Sequence, residues 1–453
     1  MQKVQQVAEN LISDSFSRSR IRQVTFSVAD QALSVGGMFL VNIALARTQS
    51  KEAYGIFTLS YTFLTFLTGL HNAAILETFT IYGSGRYISR YPEYSGFLWR
   101  ANAALVLGLT VILLLVWRVL LWAGDPGMAS RSFLGMSLSC GVLLTASFAR
   151  RTFYMRRKPE LAAKFSLIFF LTCIFLLWLF LRAGRCDVFY AFVITACAWA
   201  IAGLVLAAEL PTRNRGQSFT ASEPDYWTEH WKYSRWVFVT ALVFQFTTQG
   251  YYWLAAGFLS VKDVANLRAM FNVVTPVDQI FVATAMLVLP IMSARYSTRS
   301  LPGLLSLWKR YTLVSFLVTA SFAVVVRIFG RPILHLFYGG RFDDTAGLIG
   351  TFALFPVVMC VGNSVNAALK AMEKPNIVFW AYVASGSATI LLGLPLLMHF
   401  GLRGAVYGII LSAAAYTGAL GLGLHFIKRS AWRAMRPTTL LNGLPTHSGT
   451  DTA

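Results

Sequence analysis

Apolar residues run along this chain in long blocks separated by short polar turns, and the blocks recur about twelve times. They fall near 24–46, 55–82, 97–122, 131–150, 160–182, 187–210, 234–259, 266–292, 310–329, 344–370, 376–399 and 403–427. Many hold roughly 20 residues or more, enough for a helix to cross a ~30 Å hydrocarbon core. Backbone polar groups inside such a block must be satisfied within the segment, so the pattern predicts α-helices. Alternating ten-residue strands, the mark of a membrane barrel, do not occur. The expected fold class is all-α, a polytopic membrane protein with about 12 transmembrane helices. Polar residues in the second, eighth and tenth blocks predict tilt or partial exposure of those helices.

The two halves echo one another. After the first block comes SKEAYG (Ser50–Gly55), and after the seventh comes SVKDVAN (Ser260–Asn266). The second block ends GSGRY (Gly83–Tyr87) and the eighth ends MSARY (Met292–Tyr296). YMRRKPE (Tyr154–Glu160) follows the fourth block, and KAMEKPN (Lys370–Asn376) follows the tenth. Matches at an offset of about 210 residues point to an internal duplication. An even six helices per half makes the repeat parallel, two six-helix lobes related by a pseudo-two-fold axis along the membrane normal, with a path between them.

Composition agrees. Of 453 residues, 56% are hydrophobic and 13% charged, against roughly 25% charged in an average soluble domain. The formal net charge of +20 would suit a nucleic-acid binder. Its placement in short turns between apolar blocks reads instead as membrane topology, and no nucleic-acid partner is expected. Lys and Arg crowd one alternate set of turns, such as Arg150, Arg151, Arg156, Arg157 and Lys158, about twice as heavily as the other. Both termini are therefore expected in the cytoplasm. The expected organisation is a cytoplasmic amphipathic N-terminus over 1–23, a first lobe over 24–210, a cytoplasmic linker over 211–233, a second lobe over 234–427, and a disordered cytoplasmic tail over 428–453. No cleaved signal peptide is read at the polar, basic start. The linker closes with DYWTEHWKYSRW, where Trp227 and Trp231 sit one turn apart; an interfacial helix and an aromatic belt both fit. Five cysteines, none in a CxxC, indicate neither a disulfide framework nor a zinc site.

An ionisable group in mid-span costs roughly 2.5–3.5 kcal/mol on insertion scales and so needs a partner, water or a function. Asp30, Glu77 and Asp278 are candidates for coupling to an ion or proton. Polar stripes accompany them: Asn72 below Tyr61, Thr65 and Thr68; Gln245, Gln249 and Tyr252; Arg268, Asn272, Thr275 and Gln279; Asn363, Asn366 and Lys370. Either these face a wet cavity between the lobes or they glue helices together at about 1 kcal/mol each. Pro276 is expected to kink the eighth helix. Arg86 and Arg295 occupy matching ends of the repeat, as topology anchors or as receivers of an anionic head group. Lone His71 reads as a bonded packing residue more readily than as a proton site.

Enzyme signatures are missing. There is no GxxxxGK[ST] loop, no HExxH and no GxSxG, and no cofactor is expected. FDDT (Phe342–Thr345) offers paired carboxylates in an outer turn, the feature on which a polyprenyl-sugar transferase or polymerase would rest; a solvated turn is the plainer account.

The stretch DQALSVGGMFLVNIALARTQSKEAYGIFTLSYTFLTFLTGLHNAAILETF (Asp30–Phe79) resembles the opening of bacterial polysaccharide flippases. These form the O-antigen and exopolysaccharide branch of the multidrug/oligosaccharidyl-lipid/polysaccharide (MOP) transporter superfamily. Ala46–Arg47 and Tyr54–Gly55 carry the firmest matches, with RRKPE after the fourth helix and the two six-helix lobes. The resemblance implies an inner-membrane protein that moves a polyprenyl-pyrophosphate-linked oligosaccharide to the outer leaflet by alternating access. It implies basic cavity residues for the pyrophosphate, with Arg47, Arg86, Arg268 and Arg295 as candidates, and polar or aromatic ones for sugar. Membrane lipid, the lipid-linked glycan, a polysaccharide polymerase and glycosyltransferases are the implied partners. A cation-coupled multidrug exporter of the same superfamily is the other reading, which expects acidic cavity residues to outnumber basic ones.

Overall fold

The computed structural model of the chain describes residues 18–84, 86–124, 127–209, 225–297 and 301–434. Twelve long helices are found among them. The first lobe holds α1 (Arg18–Thr48), α2 (51–84), α3 (Tyr91–Trp122), α4 (Met128–Met155), α5 (Pro159–Arg182) and α6 (Val188–Val205). The second holds α7 (Tyr226–Phe258), α8 (Val261–Ser297), α9 (Leu301–Tyr338), α10 (346–371), α11 (375–400) and α12 (402–434). Gly401, at φ 59°, is the break between α11 and α12, a left-handed backbone that a side chain would strain.

By length and apolarity alone, nine helical stretches among the described residues qualify as membrane spans. One of these, 375–429, is α11 and α12 together. The helices that fall short are α7 and α8, whose polar stripes lower their hydropathy; both line the cavities described below. At the other extreme α3 reaches a mean hydropathy of 2.6 with only 6% of that window buried. Leu107, Leu115 and Val119 point outward from it, as a lipid-facing helix requires. The chain is a multi-pass membrane protein.

Local chemistry sets the helix ends, and it does so in duplicate. Ser50 caps α2 by accepting from the Ala53 amide at 3.2 Å, and Ser260 accepts from the Asp263 amide at 3.2 Å at the start of α8. After α4, Arg157 adopts φ 57°; after α10, Glu373 adopts φ 57°. These are the only non-glycine residues with positive φ among the described residues. Each is followed by a lysine whose amide bonds five residues back, Lys158 to Phe153 and Lys374 to Leu369, both at 3.0 Å. Each lysine precedes a proline at the first helical position, Pro159 and Pro375, where the missing N–H costs nothing. Such a strained turn, repeated at equivalent places, is the backbone trace of the duplication. The same helix pairs also pack in both lobes: α3 on α4 and α9 on α10, α4 on α6 and α10 on α12.

Two boundaries differ from the sequence expectation. α7 begins at Tyr226, inside the expected linker, because Asp225 caps it by accepting from the Thr228 amide at 3.0 Å. α12 continues to Ala434, beyond the expected limit at 427, because helical backbone persists past the apolar stretch. Most of the expected N-terminal segment, the rest of the linker and the end of the tail lie outside the described residues. α8 is helical throughout Val261–Ser297, Pro276 included.

Candidate functional site

The lobes meet along one side and at one end. On the α2–α7 side they touch over most of their length. Gln245 Nε2 donates to the Thr65 carbonyl at 3.1 Å, and His230 Nε2 lies 2.8 Å from the Ala74 carbonyl. The Tyr82 and Tyr233 rings pack at 5.7 Å, and Arg86 pairs with Glu229 at 2.6 Å. Ala74 sits in a π-helical turn (Asn72–Leu76), where the widened i→i+5 bonding from the Glu77 amide to the Asn72 carbonyl loosens the normal ladder. Because His230 Nε2 faces a carbonyl it carries the ring hydrogen, and Nδ1 accepts from the Tyr94 hydroxyl at 2.8 Å. Glu229 lies ahead of the apolar part of α7. Its hydrogen bond from Lys232 and the nearby Arg86 charge hold it below the usual carboxylate range, so the Arg86 link stays charged at neutral pH.

The end of the bundle that carries the α1–α2 and α7–α8 turns is closed. Lys51 pairs with Asp344 at 2.6 Å and Glu52 with Lys262 at 2.8 Å. Arg47 donates to the Leu336 carbonyl at 3.0 Å, and Arg341 donates to the Gln49 carbonyl. Gly55 lies so near Val261 that a Cβ would stand 2.1 Å from its carbonyl oxygen. Deeper, Asn272 donates to the Tyr54 hydroxyl at 2.9 Å and Arg268 Nε to Asn42 at 3.3 Å.

Below this seal a cavity of about 1010 Å³ reaches from Asn42 and Arg268 to Ser27 and Thr80 at the opposite, basic end. α1, α2, α4 and α6 form its first-lobe wall; Gln245, Arg268, Asn272, Thr275 and Gln279 form the other. A second cavity of about 500 Å³ lies within the second lobe, between α7, α8, α10, α11 and α12. Arg268 borders both.

The larger cavity is basic. Its charged lining groups are Asp30, Arg150, Arg151 and Arg268, an excess of two positive charges. Asp30 is only 2% exposed and its carboxylate is fully occupied. Arg150 reaches it at 2.6 and 3.2 Å, the Tyr154 hydroxyl at 2.6 Å and the Ser166 hydroxyl at 2.5 Å. Arg150 also lies over the Trp199 ring at 5.5 Å, which Phe169 at 3.8 Å and Phe165 at 5.7 Å stack against in turn. Asp30 therefore fixes Arg150 rather than offering a free carboxylate. Arg151 donates to Asn72 at 3.0 Å. Arg268 packs over the Tyr61 ring at 4.9 Å. Neither Arg151 nor Arg268 forms an ion pair among the described residues.

The smaller cavity is mixed. Asp278 and Lys370 line it with Gln249, Tyr252, Asn363, Asn366, Tyr382 and Tyr416. Asp278 forms no ion pair among the described residues. Asn366 donates to the Tyr416 hydroxyl at 3.0 Å, while its Oδ1 is buried without a partner among the described residues.

The sequence candidates thus separate by place. Asp30, Asn72, Gln245, Arg268, Asn272 and Gln279 line the large cavity, and Gln249, Tyr252, Arg268, Asp278, Asn363 and Asn366 the small one. Arg47, Glu77, Arg86 and Arg295 line neither. Arg47 belongs to the closed end, Arg86 to the Glu229 pair, and Arg295 to a 3.5 Å contact with the Gly303 carbonyl. The sequence groups Arg150 and Arg151 with the topology anchors, yet both stand inside the cavity. Two arginines a turn or so from a helix end look like anchors until the lobes are placed together. His71 is buried and bonds Asn102 at 2.6 Å, as a packing residue does. The FDDT carboxylates lie away from both cavities: Asp344 pairs with Lys51, and Asp343 neighbours His335 at 3.3 Å.

Comparison with known proteins agrees with this architecture. The family model of the polysaccharide biosynthesis proteins matches residues 22–295. Among solved structures, an inward-facing multidrug-resistance MATE family transporter of the MOP superfamily superposes with a TM-score of 0.72 at 14% identity, covering 91% of this chain and 100% of that one. An outward-facing MATE family transporter gives 0.66 at 12% identity, covering 91% and 96%. A MOP superfamily transporter from Pyrococcus furiosus, described by a reversed polarity of its binding pocket, gives 0.67 at 12% identity, covering 90% and 95%. The search of curated proteins found no match.

Proposed function

We propose a function that starts from one fact: the chain belongs to the polysaccharide biosynthesis protein family and has the fold of the MOP superfamily transporters. It works as a flippase for a polyprenyl-pyrophosphate-linked oligosaccharide, carrying it from the cytoplasmic to the outer leaflet of the inner membrane. Both chain termini lie in the cytoplasm, and the product feeds a polysaccharide polymerase. The observation that carries this reading is Arg268, between the lobes on the wall of both cavities, with no carboxylate to neutralise it among the described residues.

The physics is direct. A glycan crossing hydrocarbon would leave many polar groups unbonded, each costing several kcal/mol. A cavity of about 1010 Å³ lined by Asn, Gln, Ser, Thr and Tyr replaces that water. A guanidinium grips a phosphate through parallel charge-assisted bonds, and Arg268 is oriented for this by Asn42 and Tyr61. With the Lys51–Asp344 end closed, the cavity is loaded from the basic, cytoplasmic end. Rocking of the lobes about the α2–α7 seam then presents it to the other side.

The multidrug-exporter reading expects carboxylates to dominate. Three arginines against one saturated aspartate in the large cavity favour an anionic cargo. Transferase chemistry at FDDT is disfavoured by the Lys51–Asp344 pair and by the distance from either cavity.

The test is deletion of the gene and complementation in its host, with glycan exposed on the outer leaflet labelled by a membrane-impermeant reagent. Loss of that label, restored by the wild-type chain but not by an inserted Arg268→Ala chain, is the expected result. An unchanged label after deletion refutes the assignment.

A further inference from the structure

The large cavity holds two separate arginines without an ion-pair partner among the described residues, and their spacing bears on the cargo. One is Arg268, fixed at Tyr61 and Asn42. The other is Arg151, fixed at Asn72. Tyr61 and Asn72 lie on the same helix eleven residues apart, about 16 Å at 1.5 Å per residue. The Arg150–Asp30 pair marks the same interval on α1: Asp30 lies twelve residues, roughly 18 Å, from Asn42.

A pyrophosphate carries its charged oxygens on two phosphorus atoms joined by a single oxygen bridge, so it cannot occupy both positions at once. Arg151 has no ion-pair partner among the described residues and is held by Asn72 alone. Glu77 forms no ion pair with Arg151 among the described residues, and Asp30 is saturated by Arg150, Tyr154 and Ser166. Arg150, held rigid between Asp30 and Trp199, leaves Arg151 as the available cation at this level.

We propose that Arg151, with Asn72, is a second anion site in the cavity and that the transported glycan is acidic, bearing a carboxylate or similar anionic substituent on a sugar that docks there while the pyrophosphate sits at Arg268. This rests on the flippase reading above and narrows its substrate class. Arg151 sets specificity; Arg268 sets the common affinity for the lipid-linked head.

Binding to the full-length protein in nanodiscs tests it with two defined probes. One is a polyprenyl-pyrophosphate disaccharide ending in N-acetylglucosamine, and the other its counterpart ending in glucuronic acid. The wild-type chain is expected to bind the uronate probe about tenfold more tightly, the order of one charge-assisted pair. Arg151→Gln brings the two affinities to the same value, Arg151→Lys retains part of the preference, and Arg268→Gln weakens both probes alike. Equal affinity of the wild-type chain for the two probes overturns the acidic-glycan inference while leaving the flippase reading intact. So does an Arg151→Gln chain that loses both equally. Binding of neither probe sinks the flippase reading itself.

Discussion

Gln245 of α7 lies flat across Gly69 of α2, so close that a Cβ on Gly69 would stand 1.5 Å from the Gln245 side-chain nitrogen. That nitrogen donates to the Thr65 carbonyl at 3.1 Å, one turn away on the same helix. The absence of a side chain at one residue therefore permits the inter-lobe hydrogen bond of the other. This contact lies midway along the seam about which the lobes are proposed to rock.

Gly69→Ala is expected to push the Gln245 side chain aside, break its bond to Thr65 and destabilise the chain by about 1–3 kcal/mol, the usual range for overpacking. Adding Gln245→Ala removes the clashing atoms and should recover part of that loss. Thermal unfolding of the solubilised single and double variants measures the coupling. Strictly additive effects would show that the two residues do not act on one another.

Asp30 and Arg150 form a buried pair, with side-chain exposures of 2% and 19%. Removing only one partner strands a charge, so Asp30→Ala should cost about 3–5 kcal/mol. The double variant Asp30→Ala with Arg150→Ala should be more stable than Asp30→Ala alone. If Asp30 instead served as a free coupling carboxylate, Asp30→Asn would abolish transport with little change in unfolding temperature, and that result would count against the structural role.

The closed end is held in part by Lys51–Asp344 and Glu52–Lys262, both partly exposed. Exposed pairs contribute roughly 0.2–1 kcal/mol each, so one charge reversal should do little. Reversing Lys51 and Lys262 to Glu together should move the balance between the two facing states about fivefold toward opening at this end. Labelling of a cysteine placed at Asn42 by an impermeant thiol reagent reports it. An unaltered labelling rate would mean that the Gly55–Val261 packing carries the closure by itself.

Asp278 faces the smaller cavity without an ion-pair partner among the described residues, and Lys370 shares that wall. Asp278→Asn is expected to abolish the stimulation of transport by an imposed proton or sodium gradient, with inserted protein unchanged. Proteoliposomes loaded with fluorescent lipid-linked sugar, assayed with and without each gradient, measure this. Persistent stimulation in the variant removes Asp278 from the coupling step.

Much of this architecture was legible in the residues because the bilayer punishes unbonded backbone and misplaced charge one helix at a time. Apolar block length therefore identified helices individually, although of the second, eighth and tenth blocks, which read as the polar ones, only α8 falls short of a spanning hydropathy, and α7 joins it. Short turns repeat their chemistry wherever geometry recurs. Ser50 and Ser260 cap alike, and the YMRRKPE and KAMEKPN echo became the matched left-handed residues Arg157 and Glu373.

What linear order could not reveal was which side chains from different helices share one space. Arg150 and Arg151 sit in a basic cluster indistinguishable by composition from Arg156 and Arg157, yet the first two line the cavity and the latter do not. Asp30 looked like a lone mid-span carboxylate until Arg150, Tyr154 and Ser166 arrived more than a hundred residues later in the chain. Helix formation in a membrane is a local decision, set by hydrogen bonds within one segment. Charge neutralisation is a decision among segments, and only the packing of α1, α4 and α5 around Asp30, and of α8 against Asn42, settles which cations remain available.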